Sequence, residues 1–305
     1  MRIVFNLQSV GLGNNGGSRT LIKCAESLRD LGCDVVIVTS ANRYTWHHIG
    51  VPVVNRAPKC DVIVATGFGS VRSTLSHKTK TKFYYVRGFE QWQAPEKRLL
   101  KTYRSLSCIV NSEWLRDYLI KHEIRSELIY PGLDFDDFYV TSNNRENVIG
   151  GIFSKRHKTK RHEDIIKLGE RLGYRVLLLN RDIRNPTIPE LREFYNKIKV
   201  WVSPSELEGL HNCPHEAALC GCSLVVTDHP RGGVKDYATK ETALVYSARD
   251  LSQAADQVKR AMSNDELREK LNFNMTELLK SKIGLRERNM KKMMLLFQKG
   301  GWKHA

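Results

Sequence analysis

The segment SPSELEGLHNCPHEAALCGCSLVVTDHPRGG, residues 203–233, concentrates the residues whose types and spacing can do chemistry. Glu208 stands in a Gly-containing turn, and Glu216 follows with seven residues between them. Pro214 suits the first position of a helix, where its missing N–H is no loss, and Asn212 or Cys213 can cap that helix. Glu216 then falls in the first turn, and a buried strand, Ser223 to Thr227, comes next. A helix N-terminus offers backbone N–H groups and the positive end of a dipole, which suit an anion such as a diphosphate. Carboxylates beside it do not suit the anion; they suit hydroxyls, as on a ribose or a hexose. An anion cradle flanked by hydroxyl acceptors is the layout of a nucleotide-sugar site. For Glu216 alone, a first-turn acid stabilised by the dipole is the plainer reading, but it leaves Glu208 and the Gly209 turn without a task.

Such a site needs elements to hold it, and the chain alternates short apolar runs with helical patterns throughout. Strands are expected at Ile3–Leu7, Asp34–Val38, Asp61–Ala65, Phe83–Val86, Cys108–Val110 and Glu127–Ile129, with helices over Ser18–Leu31, Lys97–Ser105 and Glu113–His122. A second series gives strands at Val148–Phe153, Arg175–Asn180, Val200–Val202, Ser223–Thr227 and Ala243–Tyr246. Its helices are Arg161–Leu172, Pro189–Lys197, Pro214–Leu219 and Asp250–Met262, and two more fill the tail, ending with Leu285–Lys299. Runs this short and apolar suit strands buried on both faces, and alternation with helices predicts doubly wound parallel sheets. The polar stretch around Pro131, Gly132 and Thr141–Asn147 reads as a connection between domains. The expected division is 1–146, 147–284 and a closing segment, 285–305, with ligand bound where strand C-termini of the two α/β units meet.

Length and composition fit this plan. The 305 residues suffice for two domains of about 150 each. A formal net charge of +16 implies polyanionic company: nucleotide phosphates, an anionic lipid surface or nucleic acid. The seven cysteines are odd in number and scattered, which reads as reduced thiols in a cytoplasmic protein rather than a disulfide framework. Cys220 and Cys222 lack a second ligand pair at a zinc spacing. No apolar run approaches the ~20 residues of a membrane span, so any membrane contact is peripheral, at the inner face. The N-terminal MRIVFNLQSV reads as a first strand and not as a signal peptide. GLGNNGGS, residues 11–18, is no Walker loop, because no Gly-Lys-Ser/Thr follows, and no acid ends the second strand to mark a dinucleotide site.

Taken in order, these pieces resemble retaining glycosyltransferases of the GT-B fold, glycosyltransferase family 4 in particular. EGLHNCPHEA carries the glutamate pair. GNNGGSRTLIKCAESLRDLGCDVVIVT resembles the family's first Gly-rich loop and helix. CIVNSEWLRDYL and YPGLD resemble the segments before and at the interdomain crossing. IGGIFSKRHKTKRHEDII resembles the first strand and basic loop of the nucleotide domain, and VTDHPRGGVKDY and ALVYSARD the segments after the glutamates. The resemblance implies two Rossmann-like domains, with a last helix crossing back to brace the first. It also implies transfer of a hexose or deoxyhexose from a nucleotide diphosphate sugar to a hydroxyl by a front-face route, the leaving phosphate helping to take the acceptor's proton.

Residue by residue, the resemblance makes Glu208 the catalytic-site glutamate by donor sugar and leaving phosphate, and Glu216 the acceptor of ribose hydrogen bonds. The backbone N–H groups of Gly209, Leu210, His211 and Asn212 face phosphate and sugar. Lys155 and Lys160 bind the diphosphate, while Gly16 and Gly17 approach it from the other domain. Here the chain departs from the family: Lys155 stands where an arginine is usual, Ser154 where a glycine is, and Arg156 offers the guanidinium instead. His211 replaces the family's second glycine. In YYVRGFEQW no family histidine is present; Arg87 and Glu90 stand there as acceptor-side candidates, with an internal salt bridge between domain surfaces as the alternative. Without the family frame, KRHKTKR is a solvated basic loop.

No metal and no cofactor is expected: the diphosphate would be held by lysines and a helix dipole. The expected acceptor is a glycan or lipid-linked glycan, with a modified nucleic-acid base as the alternative. A non-catalytic nucleic-acid-binding protein on a degenerate GT-B scaffold is the rival class; it explains the charge but not the intact glutamate pair.

Overall fold

The computed structural model describes residues 1–142, 144–155, 157–180 and 186–302. The chain divides into two compact units, Met1–Gly132 with Leu285–Ala305, and Leu133–Gly284.

The first unit is built on a seven-stranded sheet in the order β3-β2-β1-β4-β5-β6-β7. Its strands are β1 (Arg2–Asn6), β2 (Asp34–Val38), β3 (Val53–Val54), β4 (Val62–Ala65), β5 (Thr81–Val86), β6 (Ser107–Val110) and β7 (Ser126–Leu128). Every pairing is parallel, with Ile3 opposite Val35 and Val62. The β-branched residues face helices on both sides. Ile3, Phe5, Val35, Ile37 and Phe83 form one core with Leu21, Ile22, Ala25 and Leu28 of α1 (Gly16–Asp30). Val4, Val36, Val38 and Ile63 pack on the other face. Helix α1 starts where Asn15 caps it, its side chain accepting from Ser18 N at 2.8 Å. Helices α2 (Val71–Ser76), α3 (Glu96–Tyr103) and α4 (Glu113–Lys121) follow in this unit.

The second unit carries a parallel five-stranded sheet in the order β12-β11-β10-β8-β9. Its strands are β8 (Glu146–Phe153), β9 (Arg175–Asn180), β10 (Ile198–Ser203), β11 (Ser223–Thr227) and β12 (Leu244–Tyr246). Its helices are α5 (His162–Leu172), α6 (Ile188–Lys197), α7 (Asn212–Leu219), α8 (Leu251–Ser263) and α9 (Asp265–Leu278). Ile149, Val200, Val202 and Val225 meet Ile165, Leu168, Ala254, Ala255 and Val258 in its core. At Gly151 an added Cβ would lie 2.2 Å from Ile165, so the glycine lets α5 settle directly onto β8. Local signals start these helices: a Thr187–Glu190 capping box for α6, Asp250 for α8 and Asn264 for α9.

The closing helix, α10 (Arg286–Lys299), belongs to the first unit. Met290, Met293 and Phe297 enter its core, and Phe297 meets Phe83 with ring centroids 5.0 Å apart. Burying a side chain of that size contributes about 2–3 kcal/mol.

The break between units falls at Gly132 and Leu133, not at 146 and 147. The polar stretch that reads as a linker is tied into the second unit. Asn196 donates to Tyr139 O at 3.0 Å, Arg192 to Asp137 O at 3.1 Å, and Arg145 to Ile198 O at 3.0 Å. The two-residue strand β3 and the six-residue helix α2 carry no periodicity that marks them in the sequence.

Candidate functional site

In the second unit, β8 runs out into the basic loop, which closes as one tight turn over Lys158–Lys160. That turn is stitched to the loop after β10: Glu206 N donates to Thr159 O at 2.8 Å. The backbone contact brings the two motifs together, and Lys160 Nζ forms a short ion pair with Glu208 Oε1. Both side chains are largely withdrawn from solvent, 18% and 14% exposed. His211 is buried, with Nε2 3.6 Å from the same Glu208 oxygen and Nδ1 3.0 Å from Ser203 Oγ. Burial by itself raises the pKa of Glu208, but the charges of His211 and Lys160 and the Lys160 hydrogen bond outweigh it and hold the carboxyl below its usual range. The result is an ionised carboxylate fixed between two cation-capable groups at the head of α7.

A second ionic cluster steadies the loop from the other side. Glu206 takes Arg249 Nε at 2.7 Å and lies 3.4 Å from Arg161, whose own Nε meets Asp164 at 2.6 Å. The hydrogen bond from Arg249 is the main reason the Glu206 carboxyl titrates below its usual range. Arg161 adopts a left-handed conformation, φ 49°, to turn from the basic loop into α5.

Helix α7 begins at Asn212 with His211 as its cap residue, and no side-chain cap bond forms. This corrects the expectation of an Asn212 or Cys213 cap with Pro214 first. Pro214 is the third helical residue, still within the turn whose N–H groups have no intrahelical partner. Glu216 therefore lies beyond the first turn, which removes the dipole explanation for it. It is buried, and its Oε2 accepts the Tyr195 hydroxyl at 2.8 Å. Gly209 and Leu210 are buried in the turn between Glu208 and the helix. The Gly232–Gly233 turn backs that loop: Glu208 N donates to Arg231 O at 2.8 Å. A Cβ at Gly233, φ +72°, would lie 2.5 Å from Gly209 O and 2.8 Å from Glu208 Cβ.

Lys155 is exposed at the start of the basic loop, and Arg156 lies outside the described residues. Sequence reasoning missed Ser203, which meets His211 from eight residues upstream, and Thr159 and Tyr195, which reach the site through contacts more distant in the chain. It also missed His215, fully buried one residue before Glu216, with its ring 4.2 Å from that of Tyr237. The i, i+4 spacing of His211 and His215 was the available signal.

In the first unit, Gly16 and Gly17 form the first turn of α1. Arg87 donates to Gly17 O through a short bond and to Thr66 O at 3.0 Å, tying the glycine turn to the end of β4. Glu90 is no surface contact, and it makes no direct salt bridge with Arg87 among the described residues. It is buried, accepts Phe68 N at 3.0 Å and takes a short hydrogen bond from the Tyr84 hydroxyl. Burial pushes its carboxyl above the usual range despite these bonds and the Arg87 charge. All seven cysteines are free, and Cys222 Sγ lies 3.1 Å from Tyr195 O, its thiol pushed up to about 12 by burial. Among the described residues no helix is long and apolar enough to cross a membrane.

Residues 157–264 match the family described as glycosyl transferases group 1, a span that contains Lys160, Glu208, His211 and Glu216. No curated protein matches the chain by sequence. Among solved structures, HepE of Anabaena in complex with UDP and glucose is similar at 15% identity and a TM-score of 0.79, covering 98% of this chain and 100% of that one. Sucrose-phosphate synthase of Thermosynechococcus elongatus is similar at 15% identity and a TM-score of 0.77, covering 98% of each chain. WaaG, a glycosyltransferase involved in lipopolysaccharide biosynthesis, follows at 13% identity and a TM-score of 0.69, covering 95% and 99%. These likenesses establish the architecture. The chain has the two-domain GT-B fold, and its residues 157–264 match the model of the group 1 glycosyl transferases.

Proposed function

We propose that the protein is a retaining, metal-independent glycosyltransferase that moves a hexose or deoxyhexose from a nucleotide diphosphate sugar to a hydroxyl of a glycan or lipid-linked acceptor. The observation that carries this reading is the ionised Glu208 clamped by Lys160 and His211 at the head of α7. Lys160 is placed to trade part of that ion pair for a departing diphosphate, and the positive end of α7 adds to the same field. Glu208 is then left to take a hydroxyl of the donor sugar and to face the positive charge that develops on its ring. Glu216, positioned by Tyr195, accepts from the ribose. Lys155 and Arg156 serve the diphosphate from the basic loop, and the first domain takes the acceptor. The HepE structure holds UDP and glucose, which makes uridine diphosphate the first nucleotide to try. Seven free thiols accord with a cytoplasmic setting.

The test has two stages. Uridine and guanosine diphosphates are titrated by calorimetry and thermal shift; a ligand at a hundredfold excess over its Kd stabilises the fold by about 2.7 kcal/mol. Sugars of whichever nucleotide binds are then screened for release of that diphosphate. Absence of binding by either nucleotide at millimolar concentration overturns the reading. A non-catalytic nucleic-acid binder on this scaffold would account for the net charge of +16. It leaves the Lys160–Glu208–His211 arrangement without a task, and salt-sensitive DNA binding without nucleotide binding would favour it.

A further inference from the structure

We infer that the acceptor is an anionic saccharide, one bearing carboxylate or phosphate groups, and that Arg43, Arg56 and Arg72 of the first unit recognise its charge. This deepens the reading above and rests on it.

In an all-parallel sheet every loop that follows a strand emerges at the same edge, the edge where ligands bind in such sheets. In the first unit the loops after β1 to β5 and the first turns of α2 and α3 that continue them, within residues 7–15, 39–52, 55–58, 66–73 and 87–98, hold Arg43, Arg56, Arg72, Arg87, Lys97 and Arg98 against two carboxylates, Glu90 and Glu96. Glu96 takes a short hydrogen bond from the Tyr118 hydroxyl. Glu90 is buried against Phe68 N and the Tyr84 hydroxyl, so it offers no charge to the surface.

The loops form one continuous surface. Leu12 N donates to Ala41 O at 2.8 Å and Arg43 N to Leu12 O at 2.9 Å, while Asn14 and Thr45 share bonds of 2.8 and 2.9 Å. Gln8 reaches Asn55 O at 3.4 Å, and a Cβ at Gly69 would stand 2.8 Å from Ser9 O. On this surface Arg43, Arg56 and Arg72 are exposed, and none of them meets a carboxylate among the described residues. Arg98, its guanidinium 5.2 Å from the Phe68 ring centroid, adds a further cation. The opposite edge differs, because acids sit among its bases: Arg2 pairs with Asp34 at 2.5 Å and its N–H meets Asp61 at 2.7 Å, and Arg29 pairs with Asp30 at 2.6 Å.

Uncompensated like charges repel one another and raise the free energy of the fold. An anionic ligand relieves this, and arginine presents the planar fork that matches carboxylate and phosphate. Trp92, 60% exposed in the loop after β5, gives the same edge an apolar ring suited to the C–H face of a sugar. That feature favours a saccharide over a bare anion.

Calorimetry with three hexasaccharides tests the inference: one containing glucuronate, one bearing phosphomonoesters, and neutral maltohexaose. A duplex DNA of matched charge is the fourth probe. Wild type is compared with the Arg43→Gln/Arg56→Gln/Arg72→Gln protein, whose changes are all on the surface. One or both charged saccharides should bind at least about tenfold more tightly than maltohexaose and the DNA, and the triple variant should lose about tenfold of that affinity. Which of the two binds separates carboxylate from phosphate. Equal affinity for maltohexaose, an unaffected triple variant, or tighter binding of DNA each overturns the inference. Uridine diphosphate is titrated into the same samples: lost nucleotide binding marks failure of the donor reading, whereas normal nucleotide binding without charge preference marks failure of this one.

Discussion

The Tyr195 hydroxyl donates a 2.8 Å hydrogen bond to Oε2 of Glu216, joining α6 to α7 beneath the candidate nucleotide site. Both residues are buried, so the bond fixes the direction in which the second carboxylate oxygen points. Tyr195→Phe removes the donor and keeps the ring, which also packs on Trp201 at 5.3 Å. A hydrogen bond to a charged group contributes about 1.5–3 kcal/mol. The expected result is a stability loss of that order with five- to tenfold weaker nucleoside diphosphate binding. Denaturant unfolding and calorimetry check the two parts separately; unchanged nucleotide affinity would detach Glu216 from ribose recognition.

Glu208→Ala should lose about 100-fold or more in transfer rate while the protein stays folded. Glu208→Gln is the sharper probe, because it keeps the shape and removes the charge that Lys160 and His211 face. With Lys160 released toward the diphosphate, nucleotide binding should hold or tighten as turnover falls. Steady-state kinetics beside direct titration separate these effects, and undiminished turnover in either variant takes Glu208 out of the mechanism.

Much of this site was legible in the sequence because its parts are local. The glutamates, the basic loop and the apolar run Ser223–Thr227 sit within short windows, and strands buried on both faces stand out as β-branched runs. What was not legible depends on contacts between distant residues. Glu90 looks like a surface acid until Tyr84 and Phe68 N are placed around it. Thr141–Asn147 looks like a linker until Asn196 and Arg145 tie it down. The start of α7 is not legible either, because Pro214 signals an N-terminus without saying which of its first positions it fills.

His215 predicts a pH dependence. Its ring is fully buried, neither nitrogen has a partner among the described residues, and burial, followed by the charge of His211, lowers its pKa from 6.5 to about 3. Between these values the unfolded chain takes up a proton that the folded protein refuses, so stability rises with pH across that window and the penalty grows as pH falls. At pH 5 it amounts to about 2 kcal/mol. His215→Leu removes the titrating group at similar volume. Its stability relative to wild type should therefore increase steadily from pH 7 to pH 5, as read by urea unfolding at each pH. A difference independent of pH would show that His215 protonates in the folded state.

Glu208 acts in the same sense as His215, since its pKa too is lowered in the folded protein, but through an ion pair rather than through burial. Its carboxyl is held below the usual value of 4.5, so its ion pair contributes fully above that pH and is lost as pH falls through the lower folded value. The stability difference between wild type and Glu208→Gln should accordingly shrink below about pH 4.5. Lys160→Met should flatten the same dependence, since the Lys160 charge and hydrogen bond help to lower the carboxyl. A pH-independent difference would mean that the pair contributes nothing to folding.

The Gly232–Gly233 turn gives a test of how tightly the site is framed. Gly233 has φ +72°, where a side chain is strained, and an added methyl would lie 2.5 Å from Gly209 O and 2.8 Å from Glu208 Cβ. Those atoms are backbone and the root of a side chain, so neither can swing aside. Gly233→Ala should cost about 1–3 kcal/mol, and the relief available is a shift of the Glu208 loop away from the turn. Transfer should then fall more than the stability loss explains, with the largest part in kcat, because Glu208 is displaced while Glu216 is not. Gly173→Ala, also at positive φ (+71°) but with no heavy atom within 4 Å of its Cβ, is the control for backbone strain alone. If both variants lose the same stability and both keep full kcat, contact with the turn does not position Glu208.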